Sequence, residues 1–152
     1  MKKSKWNELE VALLVLLAVC LLTGAAALRR QDDLQQKMIR LHVVANSDSE
    51  RDQALKLQVR DKVLDFTEQT MRSAESREAA NEALRASLPE IERMAEDTLL
   101  ESGCADSVEA RLEPAEFPLK AYDGFRLPAG EYMALRVLIG EAEGQNWWCV
   151  VY

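Results

Sequence analysis

The sequence predicts an α+β fold, an N-terminal apolar export or anchor helix followed by one two-layer domain, and three observations lead to it. Val11 to Leu28 (VALLVLLAVCLLTGAAAL) runs for 18 residues without a charge. Met38 to Asn46 (MIRLHVVAN) alternates with period two and is dense in β-branched residues, after which the apolar spacing turns helical as far as Gly103. From Ser107 the alternation returns and recurs to the end. The order is one strand, two or three helices, then three or four largely antiparallel strands.

The first segment, residues 1–28, reads as a signal peptide or transmembrane anchor. As a helix its apolar stretch spans roughly 27 Å, close to the hydrocarbon thickness of a bilayer. Lys2, Lys3 and Lys5 precede it and favour a cytoplasmic N-terminus, a bias that Arg29 and Arg30 weaken. Ala25, Ala26 and Ala27 supply the small residues a signal peptidase prefers, so cleavage and anchoring both fit. Residues 29–37 form a polar linker, and residues 38–152 make one domain lying outside the cytoplasm.

In that domain the strand Met38 to Asn46 stops at Asn46-Ser47-Asp48-Ser49, where Ser47 with Glu50 or Ser49 with Asp52 has capping-box spacing. A helix over Glu50 to Met71 follows. Leu55, Val59, Val63 and Phe66 share one stripe and Leu57, Leu64 and Met71 a second on the opposite side, which predicts a sheet on one flank and a helix on the other. Ser73 to Ser76 makes a break, Glu78 to Ala86 is Ala-rich and weakly amphipathic, and Ser87 with Pro89 and Glu90 opens another helix. Leu88, Ile91, Met94, Ala95 and Leu99 face the core, and Gly103 closes the helix. Ser107 to Glu113 is a strand, with an irregular crossing bounded by Pro114 and Pro118. Tyr122 to Leu127 is a short strand around Asp123-Gly124, and Pro128-Ala129-Gly130 is a turn. Glu131 to Ile139 is a strong strand, Gly140 to Asn146 (GEAEGQN) a hairpin loop, and Trp147 to Tyr152 the last strand.

Composition excludes several functions. Beyond residue 28 there are 16 Lys and Arg against 24 Asp and Glu, a net charge of −8, which argues against a nucleic-acid binder. One histidine, no CxxC and no HExxH leave no metal site, and without GxGxxG or GxxxxGK[ST] no cofactor is expected. The one catalytic arrangement to weigh is Cys149 activated by His42, since both fall on strands. A lone strand histidine is more often structural, so the chain reads as a non-enzyme. Cys20 lies in the apolar stretch, while Cys104 and Cys149 are the pair available for a disulfide outside the cytoplasm.

Concentrated aromatic and cationic residues stand out against this acidic background. Trp147 and Trp148 are adjacent on a strand and point to opposite faces. With Arg40, His42, Tyr132 and Arg136 they predict a partner-binding surface on the sheet face that helices leave uncovered, bordered by Asn46 and Asp48 of the cap turn.

Two long blocks, RLHVVANSDSERDQALKLQVRDKVL (Arg40 to Leu64) and LPAGEYMALRVLIGEAEGQNWWCVV (Leu127 to Val151), together with an exporting N-terminus, resemble the stage II sporulation protein R family of endospore-forming bacteria. The resemblance covers nearly all of the chain beyond residue 37. It implies a signalling protein made in the forespore and exported to the space between the two membranes of the sporangium. There it would activate a membrane-embedded aspartic protease of the mother cell, which cleaves the pro-sequence from the sigma-E precursor. It implies no catalytic residues. Members run past the Trp-Trp-Cys strand into a proline-containing tail with a further cysteine, whereas this sequence ends at Tyr152, which weighs against pairing Cys104 with Cys149. The alternative is an extracytoplasmic hydrolase of cell wall or peptide, using Cys149 and His42 or a carboxylate pair.

Overall fold

A computed structural model of the chain describes residues 3–122 and 125–151. The chain divides into two compact units, Met1–Gln35 and Gln36–Tyr152. Helix α1 spans Lys3–Lys37, so the stretch 29–37 expected as a linker continues the helix. Its residues are helix formers without Gly or Pro, and nothing local interrupts the backbone ladder. Within α1, Asn7–Ala26 is long and apolar enough to cross a membrane, and none of it is buried.

The second unit runs β1 (Ile39–Val44), α2 (Glu50–Met71), α3 (Arg77–Glu101), β2 (Val108–Phe117), β3 (Lys120–Tyr122), β4 (Phe125–Leu127), β5 (Gly130–Ile139) and β6 (Asn146–Val150). It is the α+β domain that the change of period predicted. The four main strands lie in the order β2-β5-β1-β6, and β3 with β4 makes a separate two-stranded ribbon. β1 is parallel to β5 and antiparallel to β6, and β2 is antiparallel to β5. β5 and β6 are therefore not a hairpin; β1 sits between them, and the 140–145 loop crosses its end.

Helix α2 starts at Ser49, whose Oγ accepts the Asp52 N–H at 3.1 Å. Leu55, Val59 and Val63 are buried, as are Lys56, Thr67 and Met71, whereas Leu57 is 37% exposed. The two stripes are thus one arc of about 160° from Leu55 to Met71, with polar residues at its centre. Lys56 and Thr67 are tolerated there because Lys56 Nζ donates to Gln53 Oε1 and the Gln145 carbonyl, and the Thr67 hydroxyl donates to the Val63 carbonyl. Leu57 falls outside the arc and lines an open groove.

Helix α3 is continuous and capped by Ser76, with Pro89 inside it. The second start expected at Ser87 does not occur; the Ser87 hydroxyl instead donates back to the Ala83 carbonyl. The helix ends at Gly103, φ +72°, where Gly103 N–H donates to Leu100 and Cys104 N–H to Leu99. This left-handed stop is the one a glycine makes without strain. Helices α2 and α3 pack on one sheet face around Ile39, Leu41, Val43, Val108, Ala110, Leu112, Leu135, Val137 and Ile139.

β2 passes through Pro114 to Phe117, past the point where an irregular crossing was expected. A proline is tolerated there because β2 is an edge strand and residue 114 turns its nitrogen outward. Lys120 to Leu127, expected as a short strand from Tyr122, forms the β3–β4 ribbon. Asp123-Gly124, about which that strand was centred, lies outside the described residues.

Candidate functional site

The second sheet face carries the residues expected to form an open surface. Alternation turns Arg40, His42 and Val44 of β1, Tyr132, Ala134 and Arg136 of β5, and Trp148 of β6 to this side. Half of it is covered. Arg40 is 0% exposed, Tyr132 1% and His42 6%, so these three form no contact surface. They build a second small core with Phe117 and Ala134, against which Met38, Ala115 and Trp148 pack.

The geometry of this cluster is specific. The Arg40 guanidinium lies 4.0 Å from the centre of the Phe117 ring and 4.9 Å from that of Tyr132. Arg40 Nη2 donates to Tyr122 Oη at 2.9 Å, bringing the β3–β4 ribbon over the face. His42 stacks on Trp148 with ring centres 4.1 Å apart and planes 6° from parallel, and Phe117 meets both edge-on. Arg40 Nε and Nη1 and both His42 ring nitrogens have no partner of hydrogen-bond geometry among the described residues. Burial pushes the His42 imidazole below its ordinary value; Asn146 opposes the shift and the Arg136 charge adds to it. Phe117 is the member missed in the sequence. Its signal is the alternation of 109, 111, 113 and 115, which continues to 117 once Pro114 is accepted on an edge strand.

The other half of the face is polar. Arg136 Nη1 pairs with Glu113 at 2.6 Å, and Arg111 pairs with Glu109. At its border, Asn46 and Asp48 hold the 140–145 loop: Asn46 Oδ1 accepts the Glu141 N–H at 2.9 Å and Asp48 Oδ1 the Gln145 N–H at 2.8 Å. A Cβ at Gly144 would approach the Ser47 carbonyl oxygen to 2.4 Å, so only glycine allows the loop this close. Asp52 accepts from Ser47 and Asn46, bonds that hold its carboxyl below the ordinary value.

Trp147 is on the opposite face from Trp148, the helical one. It is 37% exposed, and the Arg60 guanidinium of α2 lies 4.3 Å from its ring. Between α2 and β3, along the outer side of β6, runs an open groove of about 620 Å³ lined by residues that include Lys56, Leu57, Lys120, Tyr122, Trp147 and Trp148. Among the described residues no acidic side chain lines it.

Cys149 pairs with Leu41 across the ladder and packs into the helical-side core, whereas His42 pairs with Trp148 and points the other way. The sheet separates thiol from imidazole, and burial pushes the Cys149 thiol up, away from the thiolate a nucleophile needs. Cys104 and Cys149 are free thiols, and no bridge joins them. Among the described residues no three of His, Cys, Asp and Glu are placed to hold a metal.

Comparison with known proteins gives three findings. The model of the family "Stage II sporulation protein R" matches residues 35–152. The stage II sporulation protein R of Bacillus subtilis (strain 168) is 37% identical over 119 residues, 78% of this chain and 53% of that protein, so the chain spans about half the length of this curated relative. No solved structure matches.

Proposed function

The chain belongs to the stage II sporulation protein R family, and from that premise we propose that it is an exported signal rather than an enzyme. In this reading it is made in the forespore, crosses the membrane by α1, and remains anchored there or is released by cleavage. Its domain then binds, in the intermembrane space, a membrane-embedded aspartic protease of the mother cell, which cleaves the sigma-E precursor. The family match carries the sporulation role, and α1 fits export or anchoring. Binding is favoured over hydrolysis by the placement of Cys149 and His42 on opposite sheet faces.

The test is co-expression with the protease and the sigma-E precursor in a non-sporulating host. Precursor cleavage is expected only when this chain is present and exported, and deletion of residues 7–26 should leave the precursor intact. Cleavage that is independent of this chain overturns the reading. So does cleavage lost on Cys149→Ser with the fold preserved, which would restore the hydrolase.

A further inference from the structure

The two edges of the sheet are treated differently. On β2, the Val108 N–H donates to Glu96 Oε1 at 3.0 Å and the Ala110 N–H to Glu92 Oε1 at 2.8 Å, both carboxylates coming from α3. Pro114 removes a further donor from the same edge. This is how sheets close an edge to foreign strands. On β6, the opposite edge, no such cover is made by the described residues. The Val151 N–H donates to the Ile39 carbonyl at 2.9 Å, so alternation turns the N–H and C=O of Asn146, Trp148 and Val150 away from β1. Those outward groups have no hydrogen-bond partner among the described residues.

The open edge forms the floor of the groove between α2 and β3. One wall offers Leu57, 37% exposed, beside Trp147; the other offers Lys120 and Tyr122 beside Trp148. The Lys120 side chain makes no hydrogen bond or ion pair among the described residues, and the largely buried Lys56 adds a second ammonium, hydrogen-bonded to neutral oxygens and within the field of Asp48. In a chain of net charge −7, a groove whose described lining holds two lysines and no carboxylate has its own local sign.

We propose that the outer edge of β6 is a docking site to which an extended, acidic segment of a partner protein adds as a fifth strand of the sheet. Backbone hydrogen bonds to residues 146, 148 and 150 hold the segment. Its alternate side chains divide between the apolar wall of Leu57 and Trp147 and the cationic wall of Lys120. The proposal deepens the signalling reading and rests on it only for which protein supplies the segment.

The probe is a fluorescein-labelled peptide of about ten alternating valine and glutamate residues, long enough to cover the edge. It is titrated into the full chain in detergent micelles and followed by anisotropy and by amide hydrogen exchange. Saturable binding is expected, with slowed exchange at the Trp148 and Val150 amides. N-methylation of alternate peptide nitrogens should abolish binding without any change to the protein, and Lys120→Glu should weaken it about tenfold. Four results would overturn the proposal: no saturation by about 1 mM peptide, equal binding of the N-methylated peptide, equal binding of a valine–lysine peptide, or a homodimer that itself protects these amides. The cleavage assay is scored separately. Wild-type chain that binds peptide yet triggers no cleavage refutes the signalling reading and leaves strand addition standing, whereas cleavage without peptide binding refutes strand addition alone.

Discussion

Arg40 is fully buried, and no carboxylate pairs with it among the described residues. Taking a guanidinium out of water costs several kcal/mol, and two ring contacts with one hydrogen bond offset part of that, each desolvated cation–π contact contributing about 2 kcal/mol. The side chain therefore acts chiefly as packing volume joining Phe117, Tyr132 and the Tyr122 hydroxyl. Arg40→Ala is expected to cost about 2 to 5 kcal/mol through the cavity it leaves. Arg40→Met, which keeps most of the volume and removes the charge, should stay within about 1.5 kcal/mol of the parent in urea unfolding. If Arg40→Ala unfolds like the parent yet abolishes precursor cleavage, Arg40 is a contact residue after all. His42 gives a second prediction. Its folded pKa lies below the ordinary 6.5, so the unfolded chain binds the proton more readily. Its contribution to stability is complete above pH 6.5 and falls away as the pH drops below that value toward the folded pKa. Thermal unfolding followed from pH 8 down to pH 5 should show this loss, and His42→Phe should flatten that part of the profile; an unchanged slope in the variant would assign the loss to the carboxylates.

At the scale of elements, α2 separates what the sequence discloses from what it hides. Both ends of α2 were legible in local chemistry, the Ser49 cap followed by Asp52 and an unbroken run of helix formers to Met71. Its faces were only half legible. A hydrophobic wheel leaves out Lys56 and Thr67, and without them one buried arc looks like two opposed stripes. Leu55→Ala is accordingly expected to cost about 2 to 5 kcal/mol, whereas Leu57→Ala should cost under about 0.5 kcal/mol. Equal losses in denaturant unfolding would show that a second element covers Leu57. The prolines mislead for a related reason. Pro89 and Pro114 read as boundaries because each removes a backbone donor, yet Pro114 sits where the donor has no ladder partner, and α3 is held on both sides of Pro89 by burial of Leu84, Ile91, Ala95 and Leu99. Phe117, and with it the identity of the aromatic cluster, was lost to that reading of Pro114. The alternating strands themselves, with Arg40 and His42 on one face of β1 and Tyr132 and Arg136 on one face of β5, were visible from period two, whereas the choice of Trp148 over Trp147 for that face needed the strand register.

At the scale of the whole molecule, the strand order was beyond local pattern. GEAEGQN between two alternating runs satisfies every hairpin signal, but β1, about a hundred residues earlier in the chain, occupies the place between β5 and β6. What selects it is distant: Asn46 and Asp48 bind the 140–145 loop, and Ile39, Leu41 and Val43 fill the centre of the core. The apolar character of α1, which fits export or membrane anchoring, is by contrast written entirely in sequence. Asn7–Ala26 spans 20 residues, about 30 Å as a helix, and its leucines and valines from Leu9 to Leu22 are 50 to 71% exposed. Apolar area exposed to water costs roughly 25 cal/mol per Å², so a stripe-free helix of this kind is stable in a bilayer and not beside one. Orientation then turns on charge. Lys2, Lys3 and Lys5 flank one end and Arg29 and Arg30 the other, and Asp32 and Asp33 count for little in such asymmetry. The three lysines clustered at the start predict the N-terminus inside and the domain outside. A reporter enzyme active only outside the cytoplasm, fused after Tyr152, should be active, and replacing the three lysines with glutamine should divert a measurable share of the fusion to the cytoplasmic side. An active cytoplasmic reporter on the unaltered chain reverses the topology, and with it the premise that the domain meets its partner in the intermembrane space.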